Sequence, residues 1–277
     1  MKLKIPALLA GLALGVASLS ASAHFVVMYT PQTALLRGAD LPFHLVFTHV
    51  FAGGPTMAMA KPEKFYYVKR PGRHEASEEI DLLPYLEPIE WHSGDKSVQA
   101  WKANIPREQV RSLGDYQFVV EPTPYLEESE GLYIQQFAKV MVNVGGVPGN
   151  WYETVGLPAE IQALNKTYAN WTGAVFRGIV LSDGIPVPFS QVEVEYLNHP
   201  LDTDNNTFME AGLINPPHPS LEAMVIMTNE FGEFSFAMPK SGWWGFAALS
   251  VGPEIEYKGM PLSQDAILWV QVTDLPE

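Results

Sequence analysis

Apolar and polar residues alternate with a period of two through much of this chain. The clearest case is Gln191–Tyr196, where Val192, Val194 and Tyr196 interleave with Gln191, Glu193 and Glu195. A strand patterned this way buries one face and wets the other. Runs rich in β-branched or aromatic residues recur at 43–51, 64–69, 116–121, 136–144, 175–181, 231–237, 244–251 and 267–272. Each is bounded by Gly, Pro, Asn or Asp, which are turn formers. Together with 23 prolines, this predicts an all-β chain of β-sandwich type, not parallel strands alternating with long helices. Two stretches, 106–113 and 158–164, read as short helices. The first opens on Pro106 and is followed by Gly114, the expected polarity for a helix.

The run Gly145-Gly146-Val147-Pro148-Gly149-Asn150 interrupts the pattern, and the residues after it lack alternation. The expected organisation is therefore an Ig-like β-sandwich over 24–145, a connector over 146–172 and a second β-sandwich over 173–277. The second begins as a strand, an Asp183-Gly184 turn and another strand.

The first 23 residues set the compartment. Lys2 and Lys4 precede an apolar run over 5–16, and Ser20-Ala21-Ser22-Ala23 supplies small residues for cleavage. That is the layout of a secretory signal peptide over 1–23, with an apolar run too short to span a bilayer. Cleavage after Ala23 makes His24 the first residue of an exported, periplasmic protein. The formal net charge of −14 repels phosphate backbones and excludes nucleic acid as a partner. Because the chain has no cysteine, disulfides, cysteine-ligated zinc or iron–sulfur sites and cysteine nucleophiles are all excluded.

An N-terminal His24 changes the chemistry available. Its α-amine and imidazole Nδ1 close one chelate ring on a metal, and the amine, with a pKa of about 8, yields its proton to a metal near neutrality. Nitrogen donors of this kind suit Ni(II), Co(II), Cu(II) and Zn(II). His49 ends the run at 43–51 beside Gly53-Gly54, while His44, five residues earlier, belongs to the opposite face of a regular strand. His92, beside Trp91, and His199, directly after the alternating strand, complete the candidate metal ligands: His24, His49, His199 and His92. Weaker candidates are His74, His218 and the alternating Met57 and Met59, whose thioethers favour Cu(I). No nucleophile elbow, phosphate-cradling glycine loop or paired-histidine zinc motif occurs, so an enzyme is not expected. The acidic runs Glu78-Glu79-Asp81 and Glu127-Glu128-Glu130 read as solvated surface.

Several motifs together resemble a known group. They are Ala23-His24-Phe25, Phe47-Thr48-His49-Val50-Phe51-Ala52-Gly53-Gly54, Pro122-Thr123-Pro124-Tyr125, Lys139-Val140-Met141-Val142-Asn143 and Gly156-Leu157-Pro158-Ala159-Glu160-Ile161. The chain is similar to the periplasmic, nickel-uptake-associated (NikM-like) family that accompanies energy-coupling-factor nickel/cobalt transporters. It departs from that pattern at Phe25 and Val50, where the family often has aspartate and proline. The resemblance implies a prealbumin-like second domain, binding of Ni(II) or Co(II), free or chelated, and delivery to a membrane metal-uptake transporter. Other readings remain open on the residues alone: a copper carrier, a copper monooxygenase with an N-terminal histidine brace, or a metal-free binding module.

Overall fold

A computed structural model describes residues 24–70 and 75–276. The signal segment expected over 1–23 and His74 lie outside them. Among the described residues the regular structure is almost entirely strand, and the all-β expectation holds. Strands form three sheets, of seven, twelve and four strands.

The twelve-stranded sheet explains the most apolar stretches of the sequence. Strand Leu132–Val144 runs parallel to Met260–Thr273, from Tyr133 opposite Leu262 to Val140 opposite Trp269. Alternate residues of Met260–Thr273 enter two different cores. Ile267 and Trp269 face one, while Ala266, Leu268 and Val270 face the other. The strand Gly242–Ala248 divides the same way, Trp243 and Ala247 against Trp244, Phe246 and Ala248. A strand buried on both faces needs apolar residues at every position, not at alternate ones. The first core lies between this sheet and the seven-stranded one, and the second between it and the four-stranded one. Trp269 is 1% exposed and its indole donates to the Val26 carbonyl at 2.9 Å. Truncation to alanine there should cost about 3–5 kcal/mol.

This shared sheet alters the domain plan. The boundary expected at 145 coincides with the end of Leu132–Val144, yet that strand pairs directly with the last strand of the chain. Segment 201–208 also crosses back: Thr207 pairs with His92, adding to the seven-stranded sheet. The stretch 146–172 is not a free connector. The Asp115 carboxylate accepts the Gly149 and Trp151 amides, and Gln117 donates to the Asn150 carbonyl at 2.8 Å.

Neither expected helix forms. Residues 158–164 hold the strand Ala159–Ala163, paired with Val175–Ser182. Its Ala159, Ile161 and Ala163 fill the second core with period two. Glu160, on the other face, is buried against Lys139 (Nζ–Oε1 2.5 Å) and accepts the amides of Val155, Gly156 and Leu157. Pro158 suggests a helix start, but those partners hold the backbone extended. Segment 106–113 makes turns, with Gln109 N–H on the Pro106 carbonyl and Val110 N–H on that of Arg107. The only helical turns among the described residues are 3₁₀, at Leu83–Tyr85 and Pro219–Leu221.

Candidate metal site

Strand register brings the two leading histidines together. Phe25–Tyr29 pairs antiparallel with Leu41–Thr48, Phe25 opposite Thr48. One step outward, His24 and His49 therefore face each other, and their ring centroids lie 4.3 Å apart. Phe47, two residues before His49 and on the same face, lies 5.5 Å from the His24 ring and 5.2 Å from Tyr125.

The backbone at His24 is held, not frayed. Gln136 donates from Nε2 to the His24 carbonyl at 2.6 Å and to Asp265 at 3.1 Å, and its Oε1 accepts the Val26 amide at 2.9 Å. Backbone tied down at the His24 carbonyl and the Val26 amide is held against fraying. The turn after His49 is fixed too. The Phe51 amide donates to Glu195 at 3.0 Å, and the Gly54 amide to the His49 carbonyl.

A carboxylate joins the pair. Glu127 ends the strand Tyr125–Glu127, and its Oε2 lies 3.8 Å from His24 Nδ1. Hydrogen bonds from Ser129 hold the Glu127 carboxyl below the usual range, and both imidazoles add to this. Burial lowers the pKa of His24, partly offset by Glu127. Burial also lowers that of His49, with His24 adding and Glu127 opposing. Both rings are thus biased toward the neutral form, the one that ligates metal. His24 and Glu127 open onto a cleft of about 490 Å³ whose wall includes Glu130, Glu193 and Asp265. Among the described residues, no group of three or more His, Cys, Asp or Glu side chains is placed to hold a metal ion.

The other candidates stand elsewhere. His199 packs its ring against Gly53, and its Nδ1 is 2.9 Å from the Met209 carbonyl. It buttresses the turn that carries His49 and does not join the pair. The exposed His92 ring binds Ser97 at 2.9 Å through Nδ1, so it too is no partner of His24. His218 caps a 3₁₀ turn by accepting the Ser220 amide. His44 is buried edge-on to Trp91. Met57 packs on the first core and Met59 lies inside it. Glu127 is the residue that sequence reasoning missed. Its neighbours Glu128 and Glu130 give it the look of surface, and only the pairing of Glu127 with Leu132 brings it inward.

The fold and this histidine–carboxylate site define an all-β chain with an open cluster of nitrogen and oxygen donors. The chain belongs to the family described as a domain of unknown function, DUF4198, whose model matches residues 21–252. No curated protein matches the sequence. Among solved structures, the adhesin InvE of Yersinia pseudotuberculosis is similar at 9% identity and a TM-score of 0.23, over 90% of this chain and 61% of that one. The D0–D1 domain of Intimin gives 12% identity and 0.21, over 90% of this chain and all (100%) of that one. Escherichia coli alpha-2-macroglobulin activated by porcine elastase gives 8% and 0.21, over 91% and 20%. Overlaps this slight bear on neither mechanism nor ligand.

Proposed function

We propose that this protein is a periplasmic carrier of a divalent transition metal ion, Ni(II) or Co(II), which it passes to a membrane uptake transporter. The observation that carries this is the juxtaposition of His24 and His49 at 4.3 Å, with Glu127 at 3.8 Å from His24. After removal of residues 1–23, His24 adds an α-amine to the imidazole on the same residue. Amine, two imidazoles and one carboxylate then make three nitrogen donors and one oxygen, a set suited to Ni(II), Co(II), Cu(II) or Zn(II). The resemblance to nickel-uptake-associated proteins favours nickel and cobalt. The acidic cleft concentrates cations beside the pair, and its openness suits a cargo that must leave again.

A second reading is favoured by one feature. Two imidazoles and an amine beside Phe47 and Tyr125 are also the donor set of a copper-binding histidine brace. Loading with copper and supplying peroxide separates the two: oxidation of an added substrate supports the brace, and silence supports the carrier.

Native mass spectrometry of the exported protein tests the proposal. The expected species begins at His24 and carries one nickel or cobalt ion, and the His49→Ala variant carries none. A metal-free protein in nickel-supplied cells contradicts the reading.

A further inference from the structure

The strand Ala223–Met227 lies at the end of the twelve-stranded sheet, and among the described strands it pairs only with Gln191–Tyr196. Its far side therefore presents backbone N–H and C=O groups that no described strand covers. Edge strands are normally blunted by lysine, proline or a bulge. This one reads Ala-Met-Val-Ile-Met, without a charge or a proline. Met224 and Ile226 pack on the second core, while Val225 and Met227 are 56% and 54% exposed.

The apolar edge continues past the strand. Phe189, whose amide reaches the Asn229 carbonyl, is 68% exposed, and Phe231 is 63% exposed. Phe189 also holds a φ of 55°, a left-handed conformation unfavourable for a bulky side chain. Neither burial nor backbone preference accounts for a phenylalanine at that position. On this same exposed face Val225 lies opposite Glu193, and both line the cleft that holds His24 and Glu127.

We propose that Ala223–Met227 is a docking edge for an extended segment of a partner protein, which pairs with it as an added strand and lies over the His24 cleft. Free main-chain groups specify an extended backbone, and side chains projecting at alternate positions supply selectivity. On its cleft side the added strand meets Val225 and Met227, with Phe189 and Phe231 beyond the strand, which select apolar residues. It also meets Glu127 and Glu130 on the wall of the same cleft, which select lysine or arginine. A second copy of this chain is disfavoured as occupant by its own net charge of −14. The edge stands on its own geometry, and only the metal handed across it depends on the carrier reading.

Selection from a displayed library of random short peptides against the mature protein tests the edge. The expected winners are proline-free, alternate apolar residues and carry lysine or arginine. The Val225→Lys/Met227→Lys double variant, altered only at exposed positions, loses them by about tenfold or more. Phe189→Gly relieves the backbone strain, so it keeps or raises the melting temperature while weakening peptide binding. Should the double variant not fold, amide exchange over 223–227 in the wild type decides instead: bound peptide slows it if the edge is the docking site, and leaves it unchanged if not. Failure to enrich peptides, enrichment of acidic or proline-rich ones, or equal binding to wild type and variants overturns the proposal. So does a wild-type dimer that the double variant abolishes. Peptide binding in a protein that takes up no Ni(II) overturns the carrier reading and leaves the docking edge intact.

Discussion

Glu127 and His44 show how differently two ionisable side chains act in this molecule. Glu127 faces an imidazole across open space, 3.8 Å from His24, and is kept ionised by Ser129. On the proposed reading it serves the site, and it also accepts the exposed Ser129 amide and hydroxyl. Glu127→Gln should therefore leave the melting temperature unchanged and weaken Ni(II) binding by roughly tenfold, about 1.4 kcal/mol, as calorimetry can read. His44 is the reverse case: its Nε2 is buried with no hydrogen-bond partner among the described residues. Burial lowers its pKa, and Lys102 lowers it further. As pH falls below about 6.5, the unfolded chain takes up the proton first. The stability due to neutral His44 is thus complete above that pH and is lost progressively below it, toward the folded value. Thermal melts of metal-free protein should show His44→Leu less acid-sensitive than wild type between about pH 6.5 and 5. At this scale the sequence exposes His24 and His49 through position and strand phase, but not Glu127, whose place depends on a strand pairing with no local signature.

The elements around the site are legible in kind but less so in use. Period-two alternation identifies the strand that ends before His49, and Gly53-Gly54 marks its turn. Nothing local shows that His199 fills the space above that turn. Gly53 sits at a φ of 67°, and an added Cβ there would come within 2.8 Å of the His199 ring. Gly53→Ala should cost about 1–3 kcal/mol in a denaturant titration and weaken metal binding by displacing His49. His199→Ala removes the buttress and not a ligand. It should lower stability and loosen metal binding only a fewfold, whereas His49→Ala abolishes binding with little change in melting. The strand Ala159–Ala163 reads as helix in sequence because Pro158 and the short alanine-containing run fit a helix start. The decisive partners, Lys139 and Val175–Ser182, are distant in sequence.

At the scale of the molecule, the all-β character is readable from the turn formers and β-branched runs. The shared central sheet is not. A stretch such as Ala266-Ile267-Leu268-Trp269-Val270 fits any strand buried on both faces, and only assembly shows that two cores divide its side chains. One consequence is mechanical. The two halves are joined by main-chain pairing of Leu132–Val144 with Met260–Thr273, so metal binding need not clamp them together. It should stabilise the whole molecule by mass action without altering proteolysis over 146–172.

The central claim is that removal of residues 1–23 creates a metal ligand at His24. It is tested most directly by calorimetric titration of Ni(II) into two proteins, one beginning at His24 and one with a single alanine placed before it. The extension leaves both imidazoles and Glu127 in place and moves only the α-amine. The account predicts affinity at least about tenfold weaker for the extended protein. It also predicts that affinity for the protein beginning at His24 rises from about pH 6 to about pH 8, as the imidazoles and then the amine lose their protons. Equal affinity of the two proteins, or affinity unchanged across that range, contradicts it.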